Sequence, residues 1–140
     1  MYARLSGMRE AIHRFGLKEE TEIAAWGDPN SLAFVRGLGA GKACDGIICA
    51  NDFTAAQLLR SLRELKVKVP SGVRLAGFDD VRYATLLPVE LTTIHQPCRD
   101  LAEVAFRAMQ ERIRVPTAPI RTLTLVPRLV VRESCGAYLR

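Results

Sequence analysis

Apolar residues recur at helical spacing in four stretches of the chain. Leu5, Met8, Ile12 and Phe15 share one face of a helix over about residues 5–15, and Gly16 supplies its stop. Phe34, Val35 and Leu38 mark a second helix, entered from the turn Gly27-Asp28-Pro29-Asn30-Ser31 with Asn30 or Ser31 as its cap. Ala55, Leu58, Leu59, Leu62 and Leu65 give a third, which Val69-Pro70 keeps from running on. Leu101, Val104, Ala105, Ala108 and Ile113 give a fourth, with Pro97 near its first turn and Pro116 beyond its end. Between the helices, Glu22–Trp26, Val73–Phe78, Leu91–His95, Thr122–Val126 and Leu129–Arg132 read as strands, with Pro127 at an edge or bulge. Gly46–Ala50 is too uniformly apolar for a half-exposed strand and suits the fully buried strand of a parallel sheet. Val81–Leu86 leaves room for one helical turn before Pro88.

Strand, helix and strand in alternation predict an α/β fold with right-handed crossovers. The polar residues Asn51-Asp52, Asp79-Asp80 and Gln96 follow directly on three of these strands. Open parallel sheets collect ligands at the carboxyl ends of their strands, so these residues are the first candidates for chemistry.

Four segments in order carry a resemblance. They are Gly46-Ile47-Ile48-Cys49-Ala50-Asn51-Asp52, Val69 through Gly77-Phe78-Asp79-Asp80, Leu91-Thr92-Thr93-Ile94-His95-Gln96-Pro97, and Leu129 through Gly136. Together they resemble the effector-binding domain of the LacI/GalR family of bacterial transcription regulators, over about Arg4 to Gly136. The resemblance implies a three-layer, Rossmann-like parallel sheet of the class I periplasmic binding protein-like type, present in part and mainly as the C-terminal lobe. In the family's frame, residues 1–95 belong to that lobe, incomplete. Residues 96–120 are the crossover and a helix of the N-terminal lobe, and residues 121–140 return as terminal strands. A full member has a DNA-binding headpiece and two lobes, so the expectation is a fragment without a helix-turn-helix and without the strand that precedes Arg4. Lost sheet and helix partners lead us to expect self-association, as a homodimer or by exchange of the C-terminal segment.

The resemblance also assigns ligand-binding residues. Asp79 matches the family's pocket carboxylate, which accepts hydrogen bonds from neighbouring sugar hydroxyls; the plainer alternative is a cap on the following turn, the role expected of Asp80. Asn51 matches a pocket amide, with a turn residue as its alternative, while Asp52 is expected to cap the helix that starts there. Arg4, three residues before Gly7, matches a pocket arginine whose guanidinium fork holds two ligand oxygens; a solvated arginine is the alternative. Trp26 offers an aromatic face to a sugar or packs in the core. Gln96 matches a position near the cleft, and His95 is expected to be structural.

Composition narrows the functional classes. The 140 residues carry a net charge of +5 with a pI near 9.3, yet Lys and Arg are scattered from Arg4 to Arg140 without a basic block, which argues against direct DNA contact. Cys44, Cys49, Cys98 and Cys135 have no ligand spacing, are expected to be reduced, and leave no metal site with His13 and His95. No cofactor is implied. No phosphate loop or nucleophile elbow is present, so catalysis is not expected. The start of the chain lacks a signal-peptide pattern, and a cytoplasmic protein without membrane contact is expected. The expected function is a sugar-responsive effector domain acting on operator DNA only through a missing headpiece. The alternatives are a periplasmic sugar receptor of the same fold, or a fragment with only a dimerisation role.

Overall fold

The structure is a computed structural model and describes residues 2–17 and 24–139. Its elements in chain order are α1 (Tyr2–Arg14), α2 (Leu32–Gly37), β1 (Gly46–Ile48), α3 (Asp52–Glu64), β2 (Arg74–Ala76), β3 (Thr93–His95), α4 (Cys98–Arg114) and β4 (Arg128–Val130), with single 3-10 turns at Arg82–Thr85 and Glu133–Cys135. β1 and β2 pair in parallel, and β3 and β4 pair antiparallel. Parallel bridges Ala76–Thr92 and Asp79–His95 join β2 to β3, so the strands follow one another as β1-β2-β3-β4.

The core is the strand, helix and strand unit expected from sequence. Ala55, Leu58, Leu59 and Leu62 of α3 turn one face inward, against Val73 and Leu75 on β2 and Leu91 just before β3. Asn51 begins α3 in extended backbone, and its side chain accepts from the Thr54 amide at 2.8 Å. The helix closes with Lys66 in the left-handed region, φ 58°, where Lys66 N–H reaches the Arg63 carbonyl and Val67 N–H the Leu62 carbonyl. That is the paired terminal bonding usually built on glycine. Gly16 supplies the same closure for α1, at φ 60°.

Asp52 corrects one expectation. Asn51 is the cap, and Asp52 lies in the first turn of α3 with none of its surface exposed. Its Oδ1 accepts from the Thr93 hydroxyl at 2.6 Å and its Oδ2 from the Val81 amide at 2.9 Å. Its own N–H donates to the Phe78 carbonyl at 2.8 Å. The carboxylate therefore fastens the start of α3 to the ends of β2 and β3, where the helix N-terminus favours negative charge. Gly77 makes the approach possible, because a Cβ there would collide with the Asp52 carboxylate.

Asp80 corrects a second. It caps no turn: the 3-10 turn after it is entered from Val81 without a side-chain cap. Its Oδ1 pairs with Arg132 Nη2 at 2.6 Å and its Oδ2 with His95 Nδ1 at 2.9 Å. Ser134 ties the same C-terminal segment down, donating to the Leu75 carbonyl and accepting from Thr92 N–H at 2.6 and 2.8 Å.

Three strand expectations are not met in full among the described residues. β1 has a burial pattern open at both ends, with Ile48 61% exposed, because among the described residues it pairs only with β2 and stands at an edge. The expected strand Glu22–Trp26 lies partly outside the described residues, and Ala24–Trp26 form no ladder. Thr122–Val126 is extended but unpaired, and pairing starts only at Arg128. α4 forms over the expected range, yet none of its residues is buried, and Phe106, Met109 and Ile113 are all more than half exposed.

Removing the buried carboxylate with Asp52→Ala strands a hydroxyl and an amide, and is expected to cost about 2–4 kcal/mol in urea denaturation. Burial raises the Asp80 carboxyl, but hydrogen bonding to Arg132 and His95 and their charge outweigh it, so its pKa is held below the ordinary carboxylate value. A depressed native pKa stabilises the fold above the unfolded value of about 3.9 and loses that contribution as pH falls through the native one. Urea midpoints followed below about pH 4 should fall less steeply for Asp80→Asn than for the parent, from a lower starting value at neutral pH. Burial, then the charge of Asp52, pushes the Cys49 thiol up to about 12. In timed labelling with a thiol reagent, Cys98 is expected to react first and Cys49 only as the protein unfolds.

Candidate functional site

The strand ends converge. β1 delivers Ala50 and Asn51, β2 delivers Phe78, Asp79 and Asp80, and β3 delivers His95 and Gln96. Asp79, Asp80, Val81, His95 and Gln96 line an open cleft of about 570 Å³, closed on its far side by Pro97, Cys98, Arg99 and Asp100 at the start of α4. A smaller cavity of about 150 Å³ lies between α4 and residues 118–123. Arg112 and the Arg121–Glu111 pair are already engaged within the chain there, and no strand end reaches it.

Asp79 leaves the sheet in an unusual conformation, with φ 120°, and Asp80 follows at φ 57°. Such values cost a residue with a side chain about 1–3 kcal/mol and persist where surroundings over-determine them. The Asp79 N–H is held by the Ile94 carbonyl at 2.9 Å. Its carboxylate is half-buried, and Oδ1 accepts from Gln96 Nε2 at 2.5 Å. Oδ2 has no hydrogen-bond partner among the described residues, so the group keeps accepting capacity toward the cleft.

Asn51 stands at the end of β1, outside the lining of the cleft. Its Oδ1 caps α3, which leaves the Nδ2 donors for another acceptor. Arg4 is exposed but engaged: Nη1 donates to the Ala50 carbonyl at 2.7 Å, and the guanidinium carbon lies 3.6 Å from the centre of the Phe78 ring. A guanidinium stacked on an aromatic face is held in orientation as well as place. Arg4 thereby joins the ends of β1 and β2 beside Asn51 and Asp79.

Trp26 is not in the core and not in this group. It is 68% exposed, on the loop before α2, and is not among the residues lining the cleft. His95 is structural as expected, through Asp80. Three residues near the site escaped sequence reasoning. Arg132 is reached only through a pairing 52 residues long. Phe78 was visible as an aromatic at a strand end, but its stacking partner was not. Tyr83 follows on the 3-10 turn, and burial, then the charges of Asp52 and Asp79, push its phenol pKa up.

Among the described residues, no group of three His, Cys, Asp or Glu is placed to hold a metal ion, and no helix is long and apolar enough to cross a membrane. The arrangement offers one half-satisfied carboxylate, two primary amides and one guanidinium, a set that matches vicinal hydroxyls and ether oxygens.

Comparison with known proteins places the fold. The family described as a periplasmic binding protein-like domain matches residues 1–135. The ribose operon repressor of Escherichia coli strain K12 is 31% identical over 138 residues, covering 94% of this chain and 41% of the repressor. A solved transcriptional regulator of the LacI family from Sanguibacter keddieii DSM 10542 is 37% identical with a TM-score of 0.81, covering 95% of this chain and 53% of that one. The complex of the transcriptional regulator CelR with cellobiose is 30% identical with a TM-score of 0.82, covering 94% and 41%. The chain thus spans less than half the length of the curated relatives it matches. It belongs to the periplasmic binding protein-like domain family, in the form carried by LacI-family transcriptional regulators.

Proposed function

We propose that this chain is the effector-binding part of a LacI-type bacterial transcriptional regulator, and that its effector is a sugar. The observation that carries the reading is the convergence of Asn51, Asp79 and Gln96 on the carboxyl ends of three adjoining strands, with Arg4 fixed beside them. Asp79 accepts from two neighbouring hydroxyls, the Asn51 and Gln96 amides donate to ring or hydroxyl oxygens, and Arg4 adds a directional donor. Trp26 enters only as an exposed indole with a stacking face.

Binding rather than catalysis fits the carboxylates. Both oxygens of Asp80 are taken by Arg132 and His95, and those partners hold its pKa low against burial, so Asp80 is not free to serve as a proton carrier beside Asp79. Operator DNA is contacted through a part of the protein outside this chain, and the working unit is a homodimer in the cytoplasm. The names of the relatives support the regulator role, and the four unpaired cysteines suit a reducing compartment. Ligand control requires the sugar to bind two arrangements of the whole protein with different affinity.

D-Ribose and cellobiose are the first probes. Titrated into the 15N-labelled chain, a matching sugar is expected to shift the amides of Asn51, Asp79 and Gln96, and Asp79→Asn to weaken that binding about tenfold or more. Unchanged signals at those three positions across both sugars and a panel of other pentoses and hexoses would overturn the reading.

A further inference from the structure

We propose that Arg132 and His95 are positioning residues of the effector site: by holding Asp80 in its left-handed turn, they fix where Asp79 and Gln96 present their polar atoms. The inference rests on the effector-site reading and adds to it a restraint that originates in the C-terminal segment.

Two consecutive non-glycine residues with positive φ need restraint on both. The Asp79 backbone is held by Ile94, and the Asp80 amide meets the Thr93 hydroxyl only at 3.4 Å. The strong restraint on Asp80 is its side chain, with one oxygen on Arg132 and the other on His95. Arg132 is itself fixed at separate points. Its Nη1 donates to the Leu91 carbonyl at 2.8 Å, its backbone N–H donates to the Thr92 hydroxyl at 2.8 Å, and that hydroxyl donates to the Arg132 carbonyl at 3.1 Å. A planar fork anchored in this way dictates the direction of the carboxylate it holds.

The connection to the cleft is a closed ring. Asp80 bonds to His95, the next residue Gln96 bonds to Asp79, and Asp79 precedes Asp80. Moving either side-chain bond therefore moves the other. Arg132 also removes a competitor. With its pairing lost, the Asp80 carboxylate becomes a second acceptor within reach of the same crossover, beside Asp79 and of like charge. Arg132 does not line the cleft, so its influence on a ligand passes through Asp80.

The test is NMR on the full 140-residue chain with Arg132→Met, which keeps length and removes the fork, and Arg132→Lys, which returns the charge. The Gln96 side-chain amide is expected to move to the position of a free glutamine in Arg132→Met, and exchange of the Asp79 N–H to accelerate about tenfold, while the Leu58 and Leu62 amides keep their protection. Affinity for whichever of D-ribose or cellobiose the parent binds should fall about tenfold, with partial recovery in Arg132→Lys. Unmoved Gln96 and Asp79 signals in a folded variant would overturn the proposal, as would a proportional loss of protection at Leu58 and Leu62, which assigns Arg132 to global stability alone. Should Arg132→Met fail to fold, His95→Phe removes the second support and is expected to move the same two signals. A parent chain that binds neither these two sugars nor any of the panel of other pentoses and hexoses overturns the sugar-site reading itself, separately from the restraint that Gln96 and Asp79 report.

Discussion

A fully buried carboxylate organises this molecule. Asp52 is placed by the cap of α3, reaches across to Thr93 and Val81, and is itself held through its amide by Phe78. A carboxyl group without exposure is tolerable only when its oxygens are satisfied, and here each has a donor fixed by the sheet or by the turn that leaves it. The requirement runs both ways. The strand ends keep their spacing because the carboxylate needs its donors, and α3 keeps its register because Asp52 is in its first turn. Asp79, Asp80, Val81 and His95 of the cleft lie within two residues of one of these contacts.

The site is built from three adjacent pairs, one at each strand end. In Asn51-Asp52, Asp79-Asp80 and His95-Gln96, one residue has its side-chain polar atoms committed to the framework and its neighbour keeps polar capacity free; Asp79, Asp80, His95 and Gln96 line the cleft, and Asn51 is outside that lining. Framework duty falls to Asp52, Asp80 and His95. Asp79, Gln96 and the donor side of Asn51 remain for a ligand. Since the members of a pair share a peptide unit, the precision of the inner residue is passed to the outer one without any further device. Arg4, stacked on Phe78, extends the same logic to α1.

Much of this was legible in the chain itself. Helical spacing located all four helices, and the short apolar runs located β1, β2 and β3 to within a few residues, because local periodicity reports which face of an element is apolar. It does not report whether a neighbour exists to cover that face. Gly46–Ala50 has the composition of a central strand and stands at an edge, and Thr122–Val126 has β-branched residues and apolar alternation without a ladder. Asn51 took the capping role expected of Asp52, and Asp52 was buried in the framework instead, since either side chain caps a helix equally well and only the position of Thr93 decides which is drawn inward. Arg132 had no local signal, because its partner is a strand end 52 residues away. The candidate residues came from the order of whole segments, which carries information that no single position holds.

The helix α4 has a further consequence. Its 17 residues make an amphipathic rod of about 25 Å at 1.5 Å per residue, yet the hydrophobic core draws on none of them. Folding stability and the chemistry of that surface are therefore governed by separate sets of side chains. Within this chain, changes on α4 past Cys98, Arg99 and Asp100, which line the cleft, leave the strand-end carboxylates and the geometry they enforce as they are.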